Sequence, residues 1–486
     1  MRRFLPPLFA AVSTTLAALH WGSLLHFVAF DDAYITFRAA VNLAHGQGPN
    51  FNPGDRVESA TSPLWLAVLA LTEVVHIGPL LASPVLGVLF AAGAAALASI
   101  CAMELGGWLA ALLAGAGLAL LPAWACWPTT GMEVPMGGFF IAAAALASLR
   151  GKPAAAGLLF AAAAMSRPEA AVLFPALVLA FPRRDWPRFA ACALLPLLTL
   201  LLARHAYFGE WVPNTYVAKR QGLGFAGIVR GLGYVWVFAV ANLVMVVATC
   251  RALFRKGGPR TLALICVFFA GAVVWDGGDY FPFTRLLSPV LPVGCAILAS
   301  ELVAIPRRWV HLAAAATFVL VATFWVPPSL HMLNFYGGLP ELEDQRVLTE
   351  RVTRLADELK GMPEGRVAII SIGVVGYRSG RNILDLVGLT DKHIARTPHV
   401  PGAMPGHDHG DADYVLEQRP EFAVFMPLLT VGPVSTSDEA AFLNKADGYY
   451  HAARVLQEDP RFRAAYTPLD KVVTNGRHFR IWIRNR

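Results

Sequence analysis

Asp31-Asp32-Ala33-Tyr34-Ile35-Thr36-Phe37-Arg38 follows directly on an apolar run that begins at Leu5. Read as a helix begun at Asp31, residues 31, 34, 38, 42 and 45 share one face: Asp, Tyr, Arg, Asn and His. The other faces are mostly apolar. The spacing therefore predicts a helix lying in the membrane interface with its polar stripe turned toward a cavity. Asp32 stands about 100° off that stripe, which favours Asp31 as the chemically active carboxylate. Helix N-capping accounts for one aspartate and leaves the other to be explained.

Working outward, the chain of 486 residues is 56% hydrophobic and 15% charged. Its mean hydropathy is +0.52. A soluble protein of this length needs far more polar surface, so the composition predicts a membrane protein. Apolar runs of about 20 residues, the length of a span, recur from Leu5 to about Pro327, and the first reads as a retained span and not a cleaved signal. Residues 1–326 hold 13 of the 33 acidic and 21 of the 40 basic residues, and residues 327–486 hold 20 and 19. The expected architecture is an all-α polytopic membrane domain over 1–326 and a soluble α/β domain over 327–486. All six cysteines lie in apolar runs, as small hydrophobes do, with no disulfide framework or zinc spacing.

Arg2-Arg3, Arg150/Lys152, Arg183-Arg184/Arg188, Arg251/Arg255/Lys256/Arg260 and Arg307-Arg308 sit in short loops, so the basic excess reports orientation and not nucleic-acid binding. Placing these clusters in the cytoplasm gives about eleven spans, provided Pro63–Ile77 lies along the surface as a juxtamembrane helix. It puts the N-terminus inside and the C-terminal domain outside the inner membrane of a bacterial cell. Ten of the 13 acidic residues before 327 then fall outside: Asp31, Asp32, Asp55, Glu58, Glu73, Glu133, Glu169, Glu210, Asp276 and Asp279. Carboxylates barely influence topology, so the skew points to a functional outer face. Runs 154–166 and 170–181 are too short to span and predict a hairpin bent at Ser166-Arg167-Pro168-Glu169, below the surface. A charged pair at that depth is a functional candidate or a structural ion pair.

Asp31-Asp32-Ala33-Tyr34-Ile35, then His45–Gly54 and Glu58-Ser59-Ala60-Thr61-Ser62-Pro63-Leu64-Trp65, resembles the first outer loop of the GT-C glycosyltransferases. Within them it is similar to the terminal arabinofuranosyltransferase-like branch. Gly131-Met132-Glu133, Ser166–Glu169, Pro213-Asn214-Thr215 with Ala218-Lys219, Gly277-Gly278-Asp279-Tyr280 with Arg285, Asp385–Asp391 and Gly406-His407 continue the resemblance along most of the chain. Ser59-Ala60 departs from it, where the family commonly has Gly followed by Tyr or Phe. The resemblance implies a GT-C-like fold and transfer of a sugar, arabinofuranose among the candidates, from a polyprenyl-phosphate donor. The acceptor would be an envelope glycan, lipid or protein, and membrane lipids would surround the protein. By the same resemblance Asp31, with Asp32 beside it, is the base that activates the acceptor hydroxyl.

Such a transfer needs a base, positive charge for the departing phosphate and a greasy groove for the isoprenoid. Lys219, Arg167 and Arg285 are the candidate phosphate ligands, with Asp279 beside the donor. Arg38, Glu58, Glu133, Glu169, Asn214 and Tyr216 are candidate substrate contacts. Asp276 and Asp279 flank a Gly-Gly turn and either orient the donor sugar or a divalent cation, or Asp279 pairs with Arg285. His407-Asp408-His409 with Asp411 and Asp413 has metal-like composition, but its Pro-Gly surroundings favour a solvated loop. There is no P-loop and no dinucleotide fingerprint; Gly373/Gly376/Gly380 lacks a helix start at the right place. The sequence points to no definite cofactor, with a divalent cation as the one candidate. A transporter or flippase for an envelope glycolipid is the alternative from another class, since broken helices and intramembrane charges suit it as well. In the C-terminal domain, residues 341–360 predict a helix, and Val367–Ile370, Glu421–Met426 and Arg480–Ile483 predict strands.

Overall fold

A computed structural model describes residues 3–220, 224–305, 339–400, 406–425, 435–445, 450–473 and 477–485. The last expected span before Pro327, and the domain boundary expected at 326/327, lie outside the described residues.

Helix α1 (Leu5–Leu24) is followed by α2 (Asp31–Ala44) and α3 (Pro63–Val74). At 12 residues and about 1.5 Å per residue, α3 is far too short to cross a hydrocarbon core of about 30 Å. Its length matches a juxtamembrane helix. Helix α4 (Pro79–Leu120) is two arms that meet at Gly107 (φ 80°, ψ −165°), a backbone conformation only glycine adopts freely. Ser99 Oγ donates to Ala111 O across that fold-back at 2.9 Å. Among the described residues, five helical stretches are long and apolar enough to cross a membrane.

Their packing sorts them. Pro282–Val303 is almost wholly enclosed by its neighbours, whereas Arg183–Phe208 buries few of its residues and turns Leu194, Leu195, Leu198, Leu201 and Leu202 outward. An apolar face that size, uncovered by protein, is a lipid-facing surface. The expected hairpin is present as Pro153–Ser166 followed by a tight turn of 3-10 helix over Pro168–Leu173 and a short helix Phe174–Val178.

Ion pairs gather three of the basic residues with two carboxylates. Glu104 pairs with Arg150 at 2.7 Å, and Glu301 with Arg251 at 3.2 Å and Arg255 at 3.3 Å.

After residue 338 the Leu339–Lys360 helix leads into a five-stranded sheet of order β2-β1-β3-β5-β4. β1 (Val367–Ile369) runs parallel to β2 (Ile383–Asp385) and β3 (Phe422–Val424). β5 (Arg477–Arg484) runs antiparallel to β3 and to β4 (Tyr466–Val473). The expected helix and three strands are present, and β2 and β4 are additional. One expectation is overturned: a helix, Ile372–Ser379, does start directly after β1 and contains Gly373 and Gly376. Gly380 ends it in the left-handed region.

Candidate active site

Helix α2 delivers both aspartates, but not as the stripe argument expects. Its polar face is turned into the C-terminal domain. Asp31 Oδ1 accepts the Val374 N–H at 2.8 Å, and Oδ2 accepts Gly373 N–H at 3.3 Å, at the open N-terminus of the Ile372–Ser379 helix. Tyr34 packs edge-on against Tyr377. Arg38 is buried over the Phe51 ring, 4.6 Å from its centroid. Asn42 donates to Asn50 O and Phe51 O. His45, at the far end, stands 3.8 Å from Glu73. A polar stripe on an interfacial helix can meet a cavity or another domain's backbone, and here it meets the domain. Gly373 makes the contact feasible: a Cβ there would lie 1.9 Å from Asp31 O. Burial pushes the Asp31 carboxyl up to about 7, against the two N–H groups that pull it down.

Asp32, a hundred degrees round the helix, projects elsewhere. It borders two adjoining cavities, one of about 350 Å³ and one of about 600 Å³. Among the described residues it makes no hydrogen bond or ion pair. Lys219, Asp279 and Arg285 line both cavities with it. Lys219 is exposed and likewise unpaired among the described residues.

The smaller cavity lies between the membrane helices and the C-terminal domain, with Asp31, Arg230, Tyr234 and Tyr280 on one side and Ser371, Ile372 and His407 on the other. The larger runs along Val267, Phe268, Gly271, Ala272 and Trp275 of the Gly258–Asp276 helix. Its polar end carries Glu133, Arg167, Glu169, Thr215, Tyr216 and Ser59. Six of the ten outer carboxylates named above, Asp31, Asp32, Glu133, Glu169, Asp276 and Asp279, border these two spaces.

The arginines are held by carboxylates. Arg167 bridges Glu133 at 2.5 Å and Glu169 at 2.7 Å, all three nearly buried. Arg285 Nε donates to Asp279 Oδ2 at 2.7 Å, and Tyr234 Oη donates to Asp279 Oδ1 at 2.8 Å. The chain reaches Arg285 through Phe283 and Thr284, both buried and both in the left-handed region. Strain of this kind persists where surrounding structure requires it. Gly277 and Gly278 also have positive φ, and the close approach they permit is to Arg230 and Tyr234.

Three sequence candidates have other work in this structure. Glu58 binds Arg204 in a two-pronged pair at 2.6 and 3.1 Å. Asn214 Nδ2 donates to the Gly388, Leu389 and Asp391 carbonyls of the C-terminal domain. Arg38 contacts neither cavity. The sequence reading passed over Arg230 and Tyr234, although a lone arginine in the apolar run 225–241 signals an inward-facing group. Arg230 Nε donates to Gly277 O at 2.8 Å, and Tyr234 follows one turn later on the same face.

Juxtamembrane helices after the first span, a bundle of apolar helices and a C-terminal α/β unit closing over joined cavities define a GT-C-type fold. Two solved structures share it over nearly the whole chain. ArnT from Cupriavidus metallidurans, bound to undecaprenyl phosphate, aligns with a TM-score of 0.56 at 13% identity, covering 97% of each chain. The Archaeoglobus fulgidus oligosaccharyltransferase aligns with a TM-score of 0.51 at 13% identity, covering 97% of this chain and 73% of that one. In sequence, the terminal beta-(1->2)-arabinofuranosyltransferase of Corynebacterium glutamicum is 37% identical over 75 residues, 14% of this chain and 11% of that protein. Residues 340–479, the C-terminal unit, match a family described as a domain of unknown function (DUF8728).

Proposed function

We propose that this protein is a membrane glycosyltransferase that moves a sugar from a polyprenyl-phosphate donor to an envelope acceptor. The observation that carries the reading is the shared wall of the two cavities, lined by Lys219, Arg285 and Asp32, a carboxylate unpaired among the described residues. The larger cavity offers an apolar strip for the isoprenoid and a polar end where Lys219 and Arg285, among carboxylates, meet the phosphate. The smaller one, roofed by the C-terminal domain, receives the acceptor. In the step itself the acceptor oxygen bonds to the anomeric carbon while its proton passes to Asp32. The bond from the anomeric carbon to the phosphate oxygen breaks, and polyprenyl phosphate leaves with the electron pair. Lys219 and Arg285 balance the charge that develops on that phosphate; preorganised cations in a water-poor site are often the largest catalytic term.

Asp32 takes the base role that the resemblance gives to Asp31, because the Asp31 oxygens are already engaged by backbone N–H groups. The ArnT and oligosaccharyltransferase folds and the short arabinofuranosyltransferase match support lipid-linked sugar chemistry. Arabinofuranose is the first sugar to try. The reading is tested by incubating purified protein with a polyprenyl-phosphate sugar and following acceptor-dependent release of free polyprenyl phosphate by mass spectrometry. Release that ignores the acceptor, or none at all, contradicts it.

A further inference from the structure

The C-terminal domain carries a second constellation, apart from Asp32 and the cavity arginines. His399, Asp408 and His409 offer one ligand atom each, and these atoms lie within 4.8 Å of one another. Asp408 and His409 are buried, so this is not the solvated loop that its Pro-Gly surroundings suggest. His399, ten residues upstream of His409, is the member the sequence reading missed.

Proton bookkeeping shows what the cluster lacks. His409 Nε2 faces Ala218 O at 2.8 Å, and its Nδ1 faces Thr397 O at 3.0 Å. Both partners are carbonyl oxygens and can only accept. The nearby Thr397 hydroxyl, 3.2 Å from Nδ1, already donates to Ile394 O at 2.8 Å. A neutral imidazole has one N–H for these two carbonyls. One ring nitrogen therefore meets oxygen lone pairs with nothing between them, unless a second proton or a metal ion supplies the missing positive charge. The neighbours favour a metal. His399 Nδ1 is hydrogen-bonded to Asp408 Oδ2 at 2.6 Å, and His399 Nε2 is buried and, among the described residues, has no partner. The Nε2–H···O=C bond to Ala218 is the outer bond that metal-ligating histidines make.

We propose that His399, Asp408 and His409 form a binding site for a divalent metal ion of the zinc class. Two imidazoles and a carboxylate suit that ion, with a carbonyl or water as fourth ligand. Zn–N and Zn–O bonds of about 2.0–2.2 Å in a tetrahedron set ligand atoms ~3.3 Å apart, so His399 and Asp408, now hydrogen-bonded at 2.6 Å, would part slightly around the ion while all three ligand atoms already lie within 4.8 Å of one another. The site fastens His409 to Ala218, next to Lys219, and Gly406 lies against the Lys219 side chain. Its role is to hold the Lys219 wall of the cavities in place. Metal binding itself does not depend on the sugar-transfer reading.

The test is a Co²⁺ titration of the chelator-treated, full-length protein in nanodiscs, followed by visible absorption and by metal analysis after Zn²⁺ displacement. One equivalent per chain with the intense bands of four-coordinate Co²⁺ is expected. The band should vanish in His409→Asn and Asp408→Asn and persist in His393→Gln, which removes the exposed His393–Asp411 pair nearby. Wild-type protein that takes up no stoichiometric Co²⁺ or Zn²⁺ overturns the proposal. Metal retained in both ligand variants overturns it as well. Because the first readout is on the wild-type chain, a variant that fails to fold does not blur the result.

Discussion

Replacing Asp31 and Asp32 one at a time should separate two jobs carried by adjacent carboxylates. In Asp31→Ala, the amides of Gly373 and Val374 lose their acceptor inside a contact where Val374 is fully buried. A buried N–H left without a partner costs about 1–3 kcal/mol, so the two together weaken docking of the C-terminal domain by ~2–6 kcal/mol. Asp32 has no such partner among the described residues, and its replacement should change stability by about 0.5 kcal/mol or less. Catalysis should show the reverse order. Loss of a general base lowers turnover ~100-fold to ~10,000-fold, or about 3–5 kcal/mol of barrier. Hydrogen–deuterium exchange at residues 372–376, thermal unfolding and transfer rate are measured on Asp31→Ala and Asp32→Asn side by side. Asp31→Ala should exchange faster and unfold earlier; Asp32→Asn should keep wild-type exchange and lose transfer. An active Asp32→Asn enzyme, or an inactive Asp31→Asn enzyme with wild-type exchange and melting, would return the base role to Asp31.

Gly271 borders the larger cavity, and a Cβ added there meets nothing within 4 Å. Gly271→Leu should therefore fold normally yet raise the KM for a long-chain donor far more than for a short-chain analogue. Lys219→Ala should weaken donor binding by roughly 10- to 100-fold, the worth of one charge-assisted hydrogen bond of about 1.5–3 kcal/mol, as read by titration with lipid donor. Arg167→Met leaves Glu133 and Glu169 buried without their shared cation and should cost about 3–5 kcal/mol of stability, visible as a lowered unfolding temperature. Asp31 and Asp385 are both raised by burial, to about 7 and about 6. Each keeps in the fold a proton that the unfolded chain releases near 3.8. The unfolded state then binds fewer protons through this window, so stability falls as pH rises from about 4 to about 7. Unfolding followed at the C-terminal unit should come later at about pH 5 than at about pH 8.

The helical character of the membrane part was legible because hydrophobic length is a local signal. The bend at Ser166–Glu169 could be read directly from two short runs, and α3 from the parity of the runs around it. What failed was anything decided by a distant partner. The stripe through Asp31, Tyr34 and Arg38 is polar because it docks a domain that begins some three hundred residues later. No periodicity distinguishes that from a ligand cavity. Ile372-Gly373-Val374-Val375-Gly376 has poor helix formers, yet it is helical, and Asp31 accepts the N–H groups at its first turn. β2 has three residues, too few for a pattern, and pairs at its open edge with the Asn52 side chain, which both donates to and accepts from Ile383. Arg204 and Arg230 were visible as lone charges in apolar runs, but their partners, Glu58 and the Gly277 carbonyl, lie far along the chain.

The central claim is sugar transfer from a lipid-linked donor with Asp32 as base. Its most direct test is product analysis by mass spectrometry. Purified protein in liposomes is offered polyprenyl-phosphate arabinose, mannose and galactose with envelope acceptors, beside the Asp32→Asn variant. Transfer of one sugar to acceptor, abolished in the variant, is the predicted result. Movement of intact donor across the vesicle bilayer, with no product from any donor, would contradict the account and identify a transporter.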